Sequence, residues 1–327
     1  MVARHAPASI VITCFTEKRW SQLAAAIDSA LGQTLAAQEV IVVVDGNDDL
    51  MSRIKHRWPQ VRVMANHFDR GASGARNTGA SQARSPIVAF VDDDAQADPK
   101  WLELLVQCFE DRSVVGVGGG VTAAWADRKP SWFPDEFAWV VGASYRGLHD
   151  DVVEVRNVWA ENMAVRREQF LAVEGFRLGF GKVGTRSSPE DTDLCIRMTL
   201  DGGRWLHVPA AQVTHHVPGD RSTFGFFLRR CFVEGAGKAT LAQLTSFDLL
   251  STERDYLRQV ISRAIYRNLR EAVASRRLPP AAQACAMVAG LTSAAAGYAR
   301  GHLLATTRWR TSNTAAGQLP RPPGSRK

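Results

Sequence analysis

Three consecutive carboxylates, Asp92, Asp93 and Asp94, directly follow the apolar run Ile87–Val91. An unbroken apolar run of this kind is typical of a strand that is buried on both faces of a parallel sheet. Open α/β sheets bind their ligands at the carboxyl ends of such strands. Asp92 and Asp94 are two residues apart, so we expect them to share one cation while Asp93 points away. Oxygen ligands alone favour Mg²⁺ or Mn²⁺, and such an ion commonly carries the phosphates of a substrate.

The same acids also fit a second interpretation, a solvated turn that precedes a helix. Asp98 is a candidate N-cap for that helix, and Pro99 is a candidate for its first residue. The triple Asp on its own therefore does not identify a ligand site. The segments around it have to decide between the two interpretations.

Two earlier predicted strands also end in candidate ligands. Thr16 and Glu17 follow the first apolar strand, and Asp45 follows the second, at Glu39–Val44. The carboxyl ends of parallel strands meet at one edge of a sheet, so we expect these side chains to lie near the triple Asp. The convergence favours a nucleotide site at this edge.

A glycine-rich segment, residues 71–80, precedes the triple Asp. It lacks the lysine of a phosphate-binding loop, and its glycines do not directly follow a strand, so we do not interpret it as one. Its Arg76 is a permanent cation, which we expect near the position of a substrate diphosphate.

A second group of acids lies at a predicted helix start. Glu190, Asp191 and Asp193 follow a glycine-rich loop and Pro189. Acids in a first helical turn are ordinary partners of the helix dipole, and we expect at least one of the three to have only that role. A late strand ends in His215 and His216, where either a metal ligand or an ordinary histidine fits.

Strands and helices alternate through about residue 120. This alternation predicts a doubly wound α/β sheet of mostly parallel strands with right-handed crossovers. Residues 121–158 are rich in Trp and Phe. We interpret them as an irregular or antiparallel segment that covers one side of the site.

Composition limits the class of protein. The chain has 327 residues, 45% apolar and 22% charged, as is usual for a globular protein with a real core. Its five cysteines show no metal, redox or secretory spacing, and no signal peptide is visible. A reducing cytoplasmic compartment is therefore the expected location.

The net charge of +7 is concentrated in the C-terminal part, where residues 254–327 hold 13 Lys and Arg but only 2 Asp and Glu. A helix predicted from Ser251 has the apolar residues Leu257, Ile261, Ile265 and Leu269 on one side. It fits either a helix on the anionic inner face of the cell membrane or a solvated cap. The arginines alternate with apolar residues and not with stacking aromatics, which disfavours nucleic acid.

Several motifs in a fixed order make the chain resemble glycosyltransferase family 2, the nucleotide-sugar enzymes of the GT-A fold, over about residues 8–216. The chain departs from the family pattern at the end of the first strand, with Phe15-Thr16-Glu17, and at the end of the second, which has a single acid. These departures leave open whether the nucleotide is UDP, GDP or dTDP. The matching segments are the first strand with Val42–Gly46, Gly74–Gly79, Phe90–Asp94, Asn162–Arg166 and Pro189–Leu194.

The resemblance implies a Rossmann-like GT-A sheet with helices on both faces. We expect a catalytic domain at residues 1–222, a helical C-terminal extension at 223–310 and a disordered tail at 311–327. It also implies a role for individual residues. The general base would be Asp191, the Mn²⁺ or Mg²⁺ ligands Asp94 and His215, the nucleotide-sugar contacts Thr16, Glu17, Asp45, Arg76, Asp92 and Asp93, and the acceptor contacts Glu161, Asn162 and Glu190.

The predicted activity is inverting, metal-dependent transfer of a sugar from a nucleotide sugar, most simply a UDP-sugar, to a hydroxyl or phosphate. The acceptor could be a lipid carrier, a polysaccharide or a small natural product. The alternative is a non-catalytic nucleotide-sugar or lipid-binding protein on the same fold. The presence of both Asp94 and Asp191 argues against it, because a protein that only binds needs no base.

Overall fold

The computed structural model describes residues 6–183, 186–200, 202–244 and 254–313. The strands are β1 Ala8–Cys14, β2 Glu39–Val44, β3 Arg62–Ala65, β4 Ile87–Asp92, β5 Ala95–Ala97, β6 Val114–Trp125, β7 Val153–Val155, β8 Asn162–Arg166, β9 Gly181–Val183, β10 Arg186–Ser188 and β11 Arg204–Val217. The helices are α1 Trp20–Leu31, α2 Asp48–Arg57, α3 Ala72–Gln82, α4 Trp101–Gln107, α5 Arg167–Ala172, α6 Glu190–Leu200, α7 Phe224–Leu244, α8 Ser262–Ser275 and α9 Leu278–Asn313.

One sheet organises the described part of the chain, with the order β3-β2-β1-β4-β8-β6-β11-β5 and with β7 also paired to β11. β1 to β4 are parallel, and β8 runs antiparallel between β4 and β6. Alternate residues of β1 point to opposite faces: Ile10 and Ile12 pack on one core, and Val11 packs on the other. The predicted mostly parallel α/β sheet with helices on both faces is therefore confirmed.

The prediction that Asp98 caps the next helix is wrong. Residues 95–97 form β5, which pairs with β11 and keeps the chain extended after the triple Asp. α4 begins only at Trp101, and its N-cap position, Lys100, makes no side-chain capping bond. The acids thus lie at a turn between two strands of the sheet, where Asp93 and Asp94 are buried and not solvated.

Asn162 joins three elements from inside the sheet. Its side-chain N–H₂ donates to the carbonyls of Gly120 (2.7 Å) and Ala211 (2.9 Å), and its Oδ1 accepts from the indole N–H of Trp101 (2.7 Å). The residue is 1% exposed. A Cβ on Gly119 would lie 1.9 Å from the Ala211 carbonyl oxygen, so glycine is required for this close approach. Both the N–H₂ group and the oxygen of the Asn162 amide are thus bonded inside the sheet, and we do not carry Asn162 forward as an acceptor contact.

The C-terminal helices pack against an aromatic wall. Phe133, Phe137 and Phe227 are buried with Val217 and Met287, and the three tryptophans between residues 121 and 158 are partly buried against them. That segment forms a 3₁₀ helix, Asp135–Val141, and the short antiparallel β7, as its interpretation anticipated. No helix in the described ranges is long and apolar enough to cross a bilayer.

The predicted C-terminal pattern is only partly visible. Part of the helix predicted from Ser251 lies in residues 245–253, outside the described ranges. Ile261 is buried, whereas Leu257 and Leu269 are exposed, so the four predicted apolar residues do not form one packed stripe. α9 extends to Asn313, and the rest of the predicted disordered tail lies outside the described residues.

Asn162→Ala should destabilise the protein, because it leaves Gly120 O, Ala211 O and the Trp101 indole without their partner. Each buried polar group left unpaired costs about 1–3 kcal/mol. We therefore expect chemical denaturation to show a loss of at least about 2 kcal/mol in the free energy of unfolding. Gln107→Ala, on the exposed side of α4, is the control. Equal stabilities of the two variants would contradict this account of the sheet.

Candidate active site

The carboxyl ends of four strands converge on one edge of the sheet. Asp92 ends β4 opposite Thr13 of β1, and Asp45 follows β2 beside them. The backbone N–H of His216 donates to the carbonyl of Asp94 (2.8 Å), which brings the end of β11 to the same edge. The sequence thus correctly predicted that residues far apart in the chain meet here.

Asp93 and Asp94 share one guanidinium, that of Arg19. Arg19 Nη2 lies 3.0 Å from Asp93 Oδ1, and Nη1 lies 2.5 Å from Asp94 Oδ2. Asp92 instead contacts the guanidinium of Arg76. The sequence analysis did not select Arg19. The available signal was a basic residue in the exit loop of a strand that had already been assigned to the site.

The two acids that share Arg19 have different protonation behaviour. Burial raises the pKa of Asp93 to about 8, although the Arg19 guanidinium opposes this shift. Burial also acts to raise the pKa of Asp94, but His215 and Arg19 outweigh it and hold the pKa well below its usual range. Asp94 is therefore a carboxylate at neutral pH and the stronger candidate for a cation ligand.

His215 lies on the far side of Asp94 from Arg19. Its Nε2 is 3.5 Å from Asp94 Oδ1, so one ion could contact both atoms. Its Nδ1 is buried with no hydrogen-bond partner in the described residues. Those residues contain no cluster of three or more His, Cys, Asp or Glu that could enclose a metal ion. Burial acts to lower the pKa of His215, but Glu161 and Asp94 outweigh it and raise the pKa to about 9. Because a histidine ligand must be deprotonated, an ion bound here would displace the imidazole proton. The pair then fits Mg²⁺ or Mn²⁺, which commonly takes one or two protein ligands and leaves the other positions to water and substrate oxygens.

Arg76 is a buried cross-link and not an open cation. Its Nη2 lies 2.6 Å from Asp92 Oδ1 and its Nη1 lies 3.5 Å from Glu190 Oε1. Burial acts to lower its pKa, but the charges of Asp92 and Glu190 raise it, so the side chain stays a cation. The α3 arginine thus fixes the end of β4 to the start of α6.

Glu190 and Asp191 begin α6 and point to different neighbours. Glu190 faces Arg76, whereas Asp191 Oδ1 accepts a bond from the backbone N–H of Thr192 (2.7 Å). Burial raises the pKa of both carboxyls. The bond from the Thr192 N–H does lower the pKa of Asp191, but burial outweighs it. A carboxyl whose pKa is raised in this way binds a proton more readily, as a general base must.

Asp193, the third acid of this turn, is a structural residue. It is fully buried, and its carboxylate contacts Arg177 (3.1 Å) and Arg197 (2.8 Å). Arg197 also donates to the carbonyls of Val173 and Gly175. This network holds the glycine-rich loop against α6, so Asp193 has a structural role through its ion pairs.

Glu161 and His215 face each other across Gly142. A Cβ on Gly142, whose φ is +70°, would lie 3.0 Å from Glu161 Oε2 and 3.1 Å from His215 Nδ1. Glu161 Oε1 is buried without a hydrogen-bond partner in the described part of the chain. Burial raises the pKa of Glu161 to about 8, against the charge of His215. Together with His215 Nδ1, this oxygen presents unused hydrogen-bonding capacity to the site.

The remaining predicted contacts lie toward β1, β2 and β3. Asp45 accepts bonds from the Asn66 side chain (3.0 Å) and the Gly71 backbone N–H (2.8 Å), which fixes the loop that leads to α3. Thr16 accepts a bond from the backbone of Lys18, and Glu17 lies 3.4 Å from Arg53 at the surface. These three residues therefore shape the edge of the site.

Comparison with known proteins identifies the family of this arrangement. The profile of glycosyl transferase family 2 matches residues 9–172. The chain is 30% identical to the glucosyl-dolichyl phosphate glucuronosyltransferase of Haloferax volcanii over 93% of this chain and 99% of that protein. It is 28% identical to the succinoglycan biosynthesis protein ExoM of Rhizobium meliloti, over 49% of this chain and 50% of that one.

Solved structures show the same fold. The mannosyltransferase PcManGT of Pyrobaculum calidifontis, in complex with GDP-Man and Mn²⁺, matches with a TM-score of 0.55 and 16% identity, over 96% of this chain and 81% of that one. GalNAc-T7 with UDP, GalNAc and Mn²⁺ matches with a TM-score of 0.52 and 17% identity, over 78% of this chain and 54% of that one. At these identities the likeness establishes the GT-A fold alone.

Without divalent metal, the protein should lose stability as the pH rises from about 5 to about 9. The pKa of Glu161 is about 8 in the folded chain, against 4.5 for an ordinary Glu, so the folded state disfavours its ionisation. Its favourable contribution is complete below about pH 4.5 and is lost as the pH rises through 8. Glu161→Gln, which stays neutral, should flatten this part of a melting temperature–pH curve measured in chelator. An unchanged slope in this variant would mean that Glu161 ionises freely.

Proposed function

The chain belongs to glycosyltransferase family 2, and we propose that it is an inverting, divalent-metal-dependent enzyme that transfers a sugar from a nucleotide sugar to a lipid-linked acceptor. That it is a glycosyltransferase follows from its family and from its likeness to a glucuronosyltransferase over nearly the full length of both chains. The alternative of a non-catalytic binding protein is set aside on the same ground. The proposed metal dependence rests on the pair Asp94 and His215. Glu161 Oε1 and His215 Nδ1, beside this pair, have no hydrogen-bond partner in the described residues.

Asp94 Oδ1 and His215 Nε2 would hold Mn²⁺ or Mg²⁺. When bound, such an ion neutralises the diphosphate leaving group as a Lewis acid. Arg19 holds the second oxygen of Asp94, so Asp94 is oriented to offer Oδ1 alone. Both structural relatives contain Mn²⁺ together with a nucleotide or nucleotide sugar, which supports this assignment.

The nucleotide would lie over the ends of β1 and β2, beside Asp45 and Asp92. Two aromatic rings in this region, Phe15 and Phe68, are 57% and 46% exposed. Exposed rings of this kind can stack on a base, because every base presents a π face. UDP remains the first expectation for the nucleotide, with Thr16, Glu17 and Asp93 shaping its surroundings.

Asp191 would act as the general base. A carboxylate that removes the proton of an attacking hydroxyl typically contributes about 10²–10⁴-fold in rate. A single displacement, with no enzyme nucleophile, inverts the configuration at the anomeric carbon, by analogy with inverting glycosidases. Glu190, its neighbour on α6, and Glu161, beside His215, are the proposed acceptor contacts.

The proposed acceptor class comes from the relative in Haloferax volcanii, whose name gives glucosyl-dolichyl phosphate as what it acts on. A lipid-linked acceptor has its lipid in a bilayer, so we propose that the enzyme works at a membrane surface. The cytoplasmic face of the cell membrane remains the proposed location. The five cysteines are all free thiols, which agrees with a reducing compartment.

Asp94→Asn should abolish the dependence of UDP binding on Mn²⁺, because it removes the anionic ligand and its partnership with His215. We expect calorimetry to show at least a tenfold loss of Mn²⁺-dependent UDP affinity, with the thermal unfolding transition retained. Asp111→Asn, at the opposite edge of the sheet, is the matched control. Full activity of the wild-type enzyme in EDTA, with no metal in the protein, would rule out the metal assignment.

Asp191→Asn keeps the shape of the side chain but cannot accept a proton. We expect kcat with saturating donor and acceptor to fall by about 100-fold or more, while donor affinity changes by no more than a few-fold. Glu190→Gln should be milder, because Glu190 faces Arg76. If Asp191→Asn turns over within a few-fold of wild type, Asp191 is only a helix-end acid and Glu161 becomes the candidate base.

A further inference from the structure

One side of α8 exposes large apolar side chains. Tyr266, Leu269 and Val273 are 70%, 49% and 81% exposed. Their spacing of three and four residues places them on a single helix face. The opposite side of the same helix is packed, with Ala264 and Asn268 buried. One side of the helix thus packs on the protein, and the other presents large apolar side chains to solvent.

Basic side chains flank this exposed stripe. Arg263 and Arg270 are exposed and form no ion pair within the described ranges, and Arg276 and Arg277 follow at the end of the helix. The next residue, Leu278, is 83% exposed. We call Tyr266, Leu269, Val273, Arg263 and Arg270 together the α8 face.

We propose that the α8 face docks on an anionic lipid bilayer. This inference deepens the proposed action at a membrane by naming the residues that contact it. A helix that binds at a bilayer surface does so in two ways. Its apolar side chains enter the headgroup region, and its basic side chains are attracted to anionic lipid. Basic residues near such a surface are attracted to the anionic lipid, and the attraction falls off within a Debye length.

Charge also argues against other occupants. Two copies of the chain that met through this face would bring four exposed arginines together, and like charges in contact are unfavourable. Proteins that bind single-stranded nucleic acid combine basic residues with several aromatic rings that stack on the bases, whereas the α8 face has one aromatic ring and two aliphatic side chains. An anionic bilayer offers partners to both the apolar side chains and the arginines of the α8 face.

α8 is joined to the wall of the active site through Glu136. Arg267 Nη2 lies 2.5 Å from Glu136 Oε1, and the Tyr256 hydroxyl donates to the Glu136 carbonyl (2.5 Å). Glu136 belongs to the 3₁₀ helix Asp135–Val141, whose C-cap is Gly142, the residue between Glu161 and His215. A bilayer bound at α8 is thereby held at a fixed position relative to the site.

The test uses the full chain and vesicles of phosphatidylcholine with or without phosphatidylglycerol. Wild type should float with anionic vesicles and dissociate as salt is raised. The variants Tyr266→Ser/Val273→Ser and Arg263→Gln/Arg270→Gln should each reduce the bound fraction at least tenfold at equal lipid. The controls are Leu200→Ser/Leu171→Ser, also exposed apolar residues, and Arg84→Gln/Arg112→Gln, which precede β4 and β6 at the amino edge of the sheet.

Mn²⁺-dependent UDP binding of each variant, measured by calorimetry, reports whether the donor site is intact. It keeps failure of this inference distinct from failure of the proposed function. Equal binding of wild type to neutral and anionic vesicles, or equal losses in the control variants, would overturn the inference. It would also be overturned if only the arginine variant lost binding, because the surface would then be a general polyanion site that does not insert into lipid.

Discussion

Negative charge gathered in a small, poorly solvated volume is the constraint on which the rest of the structure depends. Asp92, Asp93 and Asp94 end one strand segment, and Glu161 and Glu190 approach from elsewhere. The Arg76 guanidinium compensates Asp92 and Glu190, and that of Arg19 compensates Asp93 and Asp94. Removing one partner of a buried ion pair is far more costly than keeping both, so α1, α3 and α6 are held where their charges require.

The same constraint separates the acids into different roles. Asp193 is neutralised by two arginines and holds a loop, whereas Asp191, on the same turn, has no arginine bonded to it in the described residues. Two carboxyls two residues apart on one helix therefore have different surroundings, and of the two only Asp193 is held by arginines among the described residues. The two acids differ in the number of arginines that contact them, and the sequence alone does not show that number.

The sequence predicted the buried strands of the sheet, but it missed individual contacts between residues that are far apart in the chain. Continuous apolar runs located β1, β2 and β4, because a buried parallel strand leaves a strong pattern in the sequence. The same reasoning failed at Asp98, since the pairing of β5 with β11 depends on residues more than a hundred positions later. Arg19 was missed for a similar reason: its importance comes from the turn that brings it over Asp93 and Asp94. Asn162 was predicted near the site, but its inward-facing amide could be recognised only with β6 and β11 in place.

The last helices pack closely against each other and against the aromatic core. A Cβ on Gly235 would lie 1.9 Å from the Ala294 carbonyl oxygen, and a Cβ on Gly290 would lie 2.8 Å from the Phe137 ring. α9 therefore closes the aromatic core that begins between β6 and β7, although the family profile ends at residue 172. The family profile therefore stops well short of the residues that complete this core. The last helices belong to the same packed structure as the part of the chain that the profile matches.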